Sequence, residues 1–205
     1  MMNMPETKQL SVIILFLGLN FPLWAQFGME ADKLNKVKIN EAISVSLPSS
    51  FEVMDEVLYS RKYGAYRPPI AIYTSNREEA DFGINESVNR SLQAFASSDW
   101  KMEDMQMIKG VYKASIAGVH SEVDFIQDDI REINGRSYIV LELVGTVRDE
   151  DKAVSFNRSA KRQYYYMQYT VYNGKILIFN FNCPGALKQR WQATARQVMD
   201  SIKVK

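Results

Sequence analysis

The sequence predicts an α+β domain in which a central antiparallel β-sheet has helices on both faces. The first observation behind this prediction is a pair of apolar strand patterns joined by Asn173-Gly174. The second is a regular helical stripe of apolar residues near the C-terminus. The third is the return of two-residue periodicity after a predicted midchain helix. Strands before and after a helix, followed by a final helix, are typical of this fold class.

The predicted hairpin consists of Tyr164–Tyr172 and Lys175–Asn182, which are rich in Tyr, Ile, Phe and Val. Asn-Gly tolerates positive φ at both central positions, so it closes a type I′ turn. A register set by this turn pairs Val171 with Ile176, Tyr169 with Ile178 and Tyr166 with Phe181. One face then carries Tyr165, Met167, Tyr169, Val171, Ile176 and Ile178, and the other carries Tyr166, Leu177, Phe179 and Phe181. Since both faces are largely apolar, we expect the hairpin to be covered on both sides.

The predicted C-terminal helix follows Pro184-Gly185, a pair that stops the preceding strand. Its apolar residues recur at helical spacing and are Leu187, Trp191, Ala195, Val198 and Ile202. We expect this stripe to pack against the sheet.

The first half of the chain contains four shorter strand patterns, at Ala42–Leu47, Phe51–Val57, Ile70–Thr74 and Phe82–Asn85. Arg61–Pro69 contains Gly, two prolines, two tyrosines and three basic residues, which predicts an exposed loop. Glu86–Ser97 has Val88, Leu92 and Phe95 on one stripe and therefore predicts an amphipathic helix.

The second half of the chain is predicted to be mainly extended. Asp99–Ile108 fits a strand at each end with a kink between them, and alternation from Gly110 onwards predicts a strand that carries His120. A second Asn-Gly pair, Asn134-Gly135, leads into the apolar strand Arg136–Val147. Asp149–Gln163 is a long polar connection between strands.

Composition excludes several classes of function. The 205 residues carry 25 Lys and Arg against 24 Asp and Glu, a net charge of +1, which gives no global basis for binding nucleic acid. One histidine and one cysteine exclude an intrachain disulfide framework and a Cys-rich zinc site. No nucleotide-binding glycine motif and no Gly-x-Ser-x-Gly motif is present. The sequence therefore indicates no cofactor, no metal and no catalytic residue.

The N-terminus predicts export. Ser11–Leu19 is an uncharged apolar run that follows Lys8 and is too short to span a bilayer as a helix. A secretory signal peptide over residues 1–25 explains this run, with cleavage after Ala25 and a periplasmic or extracellular mature protein. The alternatives are a retained N-terminal anchor and a buried strand. We expect a flexible leader over 26–38, a single domain over 39–205 and no transmembrane helix in the mature chain.

The order of elements resembles that of PsbP-like proteins. The resemblance rests on the Leu-Pro turn before an aromatic residue in 45–51, the midchain helix, the Tyr-Asn-Gly-Lys turn at 172–175 and the terminal WQATARQVMDSIKV of 191–204. It implies an α-β-α sandwich around an antiparallel sheet. It also implies an accessory or binding role, because the family includes extrinsic photosystem II subunits, Ran-binding Mog-type proteins and bacterial envelope proteins.

Two loops rich in Tyr and Arg are the best candidate binding sites. The residues concerned are Tyr63, Tyr66 and Arg67 in the first loop and Arg158 and Arg162 in the second. Tyr and Arg dominate the energetics of protein interfaces. The alternative is that the tyrosines pack at the sheet edge and the cations are solvated. The leading hypothesis is a non-enzymatic exported module that binds another envelope or secreted protein.

Two rival hypotheses concern small ligands. His120 with Glu122 and Asp124 on the same strand face would suit a hydrolase or a small-ligand site. Calcium binding is the other rival, because carboxylate oxygens are its preferred ligands. The acidic residues that suggest it are Asp124, Asp128, Asp129, Asp149, Glu150 and Asp151.

Overall fold

The computed structural model describes residues 33–64, 67–87, 92, 95, 100–147 and 161–205. All of these belong to one compact unit, Ala31–Lys205. The strands are β1 (Leu34–Lys38), β2 (Ile43–Pro48), β3 (Phe51–Val53), β4 (Ala71–Ser75), β5 (Asp81–Glu86), β6 (Glu122–Ile133), β7 (Arg136–Val147), β8 (Lys161–Tyr172), β9 (Lys175–Pro184) and β10 (Lys203–Val204). The helices are α1 (Glu56–Tyr63), α2 (Met102–Val119), a 3-10 turn at Gly185–Leu187, and α3 (Lys188–Asp200).

The strands form two antiparallel sheets within the described residues. The main sheet has seven strands in the order β3-β4-β5-β9-β8-β7-β6, and the small sheet has three in the order β1-β2-β10. Helix α3 packs on one face of the main sheet and α2 on the other. The predicted α+β class with helices on both faces of an antiparallel sheet is therefore confirmed.

The β8–β9 hairpin has the predicted register and the predicted faces. Val171 pairs with Ile176, Tyr169 with Ile178 and Tyr166 with Phe181. Positive φ angles of 49° at Asn173 and 70° at Gly174 close the turn. The even-numbered aromatic face of β8 packs in the α3-side core. The opposite face packs in the α2-side core, so the hairpin lies in the middle of the sheet and is covered on both sides.

Helix α3 packs against the sheet through the predicted stripe. Trp191, Ala195 and Val198 are all buried, and the Trp191 ring contacts the rings of Phe51 and Phe181. A buried carboxylate reinforces this layer, because Glu142 of β7 accepts hydrogen bonds from Arg196, Gln192 and Tyr164. The helix is thus fixed by apolar burial and by a polar network at the same time.

Helix α2 occupies a region that was predicted to be extended. Met105, Ile108 and Ile116 are buried on its inner face, and Tyr112 stacks on Tyr169 of β8. From Met105 through Ile108 and Tyr112 to Ile116, the inner residues are three, four and four positions apart, which is helical spacing. Gly110 and the two-residue interval between Met105 and Met107 are instead typical of a strand, and they led to the prediction. The prediction of strands over 99–108 and of a strand from Gly110 to His120 is therefore wrong.

Helix α1 begins inside a segment that was predicted to be extended and ends inside the predicted loop. The carboxylate of Asp55 accepts a hydrogen bond from the Leu58 backbone N–H, which caps the first turn. Gly64 ends the helix with a φ of 71°. The strand prediction for Phe51–Val57 therefore holds only for Phe51–Val53, and the loop begins at Gly64 instead of Arg61.

Four further boundaries differ from the prediction or lie beyond the described part of the chain. Residues 34–38 of the expected leader form β1. This strand pairs with β2 and places Val37 opposite Val45. Glu86 of the predicted midchain helix ends β5, whereas Leu92 and Phe95 have 3-10 conformation and pack in the α2-side core. Ser87 of that predicted helix is not helical. Residues 88–91, 93, 94, 96 and 97, the signal peptide over 1–25 and residues 149–160 lie outside the described residues. Of the helices that the structure describes, none is long and apolar enough to cross a membrane.

Candidate binding cleft

The α2 side of the main sheet carries a cleft where α1 meets β5 and β9. Two adjoining cavities of about 400 and 260 Å³ share Tyr63, Asp81, Asn180 and Asn182 as lining residues. We refer to both together as the α1 cleft. Further residues line one cavity or the other and include Tyr59, Arg67, Gly83, Asn85, Lys161, Gln163 and Tyr165. The four shared residues all carry polar groups, although the rest of this sheet face is an apolar core.

A buried carboxylate organises the α1 side of the cleft. Asp81 is 5% exposed and accepts hydrogen bonds from the Tyr63 hydroxyl at 2.6 Å, from the Thr74 hydroxyl at 2.6 Å and from Lys62 Nζ at 2.9 Å. Burial, and next the negative charge of Asp81, raises the pKa of Tyr63 well above its usual value. Tyr63 is therefore a neutral hydrogen-bond donor with a fixed orientation.

Two side-chain amides of β9 form the opposite side of the floor. Strand β9 alternates, so that Phe179, Phe181 and Cys183 enter the α3-side core while Asn180 and Asn182 face the cleft. Asn182 Nδ2 donates to the Tyr63 hydroxyl oxygen at 3.4 Å. Asn180 Oδ1 is buried and accepts no hydrogen bond from any residue that the structure describes. A buried acceptor without a donor is costly, so this oxygen is a position where a ligand N–H or O–H would bind favourably.

Charged side chains border the cleft and divide into paired and unpaired groups. Glu78 is paired with Arg61 at 2.6 Å, and Glu79 with Arg190 at 2.6 Å. Lys161 and Arg67 also line the cleft, and neither forms an ion pair with another residue in the described part of the chain. The carboxylates of the cleft are thus compensated, whereas Arg67 and Lys161 have no acidic partner among the residues that the structure describes.

The predicted binding residues that the structure describes lie on two faces of the main sheet. Tyr63 and Arg67 line the same cavity of the α1 cleft, as the shared loop suggested. Arg162 lies on the opposite face of the sheet, because it alternates with the cleft residue Lys161 and its side chain approaches Gly185, just before α3. Tyr66 and Arg158 lie outside the described residues.

Sequence reasoning missed the polar floor of the cleft. The predicted hairpin faces ended at Ile178 on this side, and continuing the two-residue period would have added Asn180 and Asn182. Polar residues at the end of an otherwise apolar strand face were the available signal. No sequence pattern pointed to the role of Asp81, because its partner Tyr63 is 18 residues away in the chain.

His120 does not have the surroundings that the hydrolase hypothesis requires. It follows α2 directly, and its Nδ1 lies 2.8 Å from the Ile116 carbonyl oxygen. Its ring packs on Gly145 and against the Tyr165 ring. Glu122 and Asp124 are exposed and alternate with Val123 and Phe125, which pack in the α2-side core. The expected common strand face of His120 and the two carboxylates is therefore wrong.

Two of the acidic residues of β6 are engaged by neighbouring side chains. Asp128 forms ion pairs with Lys109 and Lys113 of α2, and Asp129 accepts a hydrogen bond from Gln127. Among the described residues, no group of three or more His, Cys, Asp and Glu side chains is placed to hold a metal ion. Residues 149–151, the other acids of the calcium hypothesis, lie outside the described ranges.

The lone thiol is structural. Cys183 is 1% exposed and packs in the α3-side core. Burial, with a smaller effect from Asp81, raises its pKa to about 12, so the thiol is protonated at neutral pH. This environment is that of an inert core residue.

Comparison with solved structures identifies the architecture. Cyanobacterial PsbP (CyanoP) from Synechocystis sp. PCC 6803 is similar with a TM-score of 0.52 and 15% identity, over 90% of this chain and 99% of that chain. The Ran-binding protein Mog1p of Saccharomyces cerevisiae has a TM-score of 0.48 and 9% identity, over 84% and 95%. LpqN of Mycobacterium tuberculosis, involved in cell envelope biogenesis, has a TM-score of 0.40 and 12% identity, over 84% and 91%.

The comparisons by sequence gave no relatives. No protein-family model matches the sequence, and no curated protein does. At 15% identity, the similarity to cyanobacterial PsbP concerns the fold alone.

Proposed function

We propose that this chain, which has the PsbP-like fold, is an exported and non-enzymatic binding module that docks on another protein of the cell envelope. We further propose that the α1 cleft is its docking site. The observation that carries the proposal is the position of Tyr63, a large aromatic residue that Asp81 and Asn182 hold at an open cleft. A pre-oriented aromatic anchor loses little conformational entropy when it binds.

Arg67 adds a second interface residue to the same cleft. Its side chain is exposed, and its backbone carbonyl accepts a hydrogen bond from Tyr59 at 3.1 Å, which connects the loop to α1. Tyr and Arg are the residue types most enriched among binding hot spots. The pairing of an anchored tyrosine with an exposed arginine therefore supports protein binding.

Export is part of the proposal and has its own test. The apolar run Ser11–Leu19 and the small residue Ala25 support cleavage before Gln26. Intact-mass measurement of the protein purified from its native envelope fraction should give a chain that begins at Gln26. A mass that includes residues 1–25 would show a retained anchor and would contradict the cleavage step.

The docking site can be tested with two variants that each remove one positive charge, from opposite faces of the main sheet. Arg67→Ala changes the α1 cleft, whereas Arg162→Ala changes the α3 side of the sheet. Each variant, with a C-terminal tag, is used to capture partners from cross-linked envelope extract. We expect Arg67→Ala to weaken capture of the wild-type partner while its melting temperature is unchanged, and Arg162→Ala to retain capture. The reverse pattern, or full capture by both variants, would refute the α1 cleft as the docking site.

A further inference from the structure

The side-chain amides on the floor of the α1 cleft have the same spacing as the main-chain groups of an extended polypeptide. Asn180 and Asn182 are two residues apart on β9 and both line the cleft. Strands advance about 3.3 Å per residue, so the two amides are separated by about 6.6 Å. An extended peptide presents equivalent main-chain groups at the same interval. A peptide segment lying along β9 would therefore meet one side-chain amide for every two of its residues.

The chemistry of the floor also matches a main chain. A side-chain amide offers a donor and an acceptor together, which is the pattern needed to pair with a peptide N–H and C=O. Asn180 Oδ1 has no donor among the described residues, so a peptide N–H that reached it from the cleft would satisfy it. Gly83, the residue paired with Asn180 on β5, has no side chain to fill the space beside it.

The charge around the floor indicates an acidic segment. Lys161 lines only the larger cavity and Arg67 only the smaller one, so the two cations flank the shared floor. The carboxylates of Glu78, Glu79 and Asp81 are already paired with cations. An acidic side chain of the segment would thus meet, in either cavity, a cation that no described carboxylate pairs with.

We propose that the α1 cleft binds an acidic polypeptide segment in extended conformation. Asn180 and Asn182 pair with its main chain, and Arg67 and Lys161 bind its carboxylates. This inference rests on the proposed protein-docking function and specifies the chemistry that the cleft recognises in its partner.

The test uses two anionic polymers that differ in the main chain. Short fluorescent poly-L-glutamate has carboxylates on a peptide backbone, and polyacrylate of matched charge has carboxylates on a hydrocarbon backbone. Binding of the full chain to each polymer is measured by fluorescence anisotropy at low and moderate ionic strength. We expect poly-L-glutamate to bind more tightly than polyacrylate. Equal affinity for the two polymers would overturn main-chain recognition.

Variants separate the two parts of the site. The double variant Asn180→Ala/Asn182→Ala should lose roughly tenfold to a hundredfold in affinity for poly-L-glutamate and leave polyacrylate binding unchanged. Arg67→Ala and Lys161→Ala should each weaken the binding of both polymers. Lys36→Ala, which removes the same charge from β1 of the small sheet, is the matched control and should weaken neither. An unchanged affinity of the amide double variant, with its melting temperature retained, would overturn the inference.

Failure of this inference can be distinguished from failure of the proposed function. If Arg67→Ala loses partner capture while the amide double variant keeps it, the docking function stands and main-chain recognition is refuted. If poly-L-glutamate binds through Asn180 and Asn182 but Arg67→Ala and wild type capture the same proteins equally, the peptide site stands and its use in docking is refuted.

Discussion

Tyr63 donates its hydroxyl hydrogen to Oδ2 of Asp81 across 2.6 Å, which links the last residue of α1 to the first residue of β5. No residue of α1 is buried, so apolar packing contributes little to the position of this helix. The ion pair between Lys62 and Asp81, at 2.9 Å, adds a second link from the same turn. The wall of the cleft is therefore held mainly by polar contacts, of which those to Asp81 are the buried ones; Arg61 adds an exposed ion pair with Glu78.

Replacing Tyr63 by Phe should destabilise the protein by about 1.5 to 2 kcal/mol. The substitution keeps the ring but removes the O–H that satisfies a buried carboxylate, and hydrogen bonds to charged groups are the stronger ones. Urea denaturation followed by circular dichroism measures the change.

Tyr59→Phe is the matched control, because the Tyr59 hydroxyl donates to an exposed backbone carbonyl. We expect it to cost less than about 0.5 kcal/mol. Equal losses in the two variants would show that Asp81 does not depend on the Tyr63 hydroxyl.

The elements that the sequence predicted well are those in which local and tertiary signals agree. Asn173-Gly174 requires a tight turn, and the β-branched and aromatic residues beside it favour the strands that the core also requires. The α3 stripe likewise has one periodicity and one buried face. Turning α3 about its axis would expose its apolar stripe, and the register of the hairpin is set by its two-residue turn.

The misread helices carry conflicting signals. In α2, Gly110 lowers helix propensity and Met102 and Met107 are exposed, which blurs the apolar stripe. In α1 there is no apolar stripe at all, and its only clear signals are the Asp55 cap and Gly64.

The cleft as a whole could not be predicted for a different reason. It depends on pairing β5 with β9, strands separated by about 90 residues, which no local pattern encodes.

Arg196→Ala should destabilise the protein by about 2 to 3 kcal/mol, although half of the Arg196 side chain is exposed. The loss comes from Glu142, whose side chain is 0% exposed and would keep only Gln192 and Tyr164 as partners. Adding Glu142→Gln in the Arg196→Ala background should recover about 1 kcal/mol, because the uncompensated charge is removed. A double-mutant cycle by urea denaturation measures the coupling, and strictly additive losses would contradict a charge interaction between the residues.

Gly145→Ala should destabilise the protein by about 1 to 3 kcal/mol. An added Cβ would lie 2.4 Å from Cδ2 of His120, whose ring is held by the Ile116 carbonyl. His120→Ala in the same background should restore most of the stability, as measured by thermal unfolding.

Gly110→Ala is the opposite case, since its Cβ would meet nothing within 4 Å and α2 is helical there. It should stabilise by about 0.5 to 1 kcal/mol, and a loss in Gly110→Ala would contradict the helix assignment.

Asp128 should make a stability contribution that depends on pH. Hydrogen bonding from Lys113, with a further contribution from Lys109, lowers the pKa of Asp128 below its ordinary value of 3.8. A carboxylate whose pKa is lower in the folded state stabilises the protein fully above the unfolded-state pKa. The contribution is lost as the pH falls below about 3.8 and through the lower folded-state pKa.

Asp128→Asn should therefore reduce the free energy of unfolding at pH 7 by less than about 1 kcal/mol, because the ion pairs are partly exposed. The difference from wild type should stay constant down to about pH 5 and then shrink towards zero in more acidic solution. Urea denaturation between pH 2.5 and 7 measures this profile, with Glu52→Gln on the edge strand β3 as the control for loss of an exposed carboxylate. A destabilisation that persists unchanged at the acidic end would show that Asp128 acts through packing, because a protonated carboxyl cannot form an ion pair with Lys113 or Lys109.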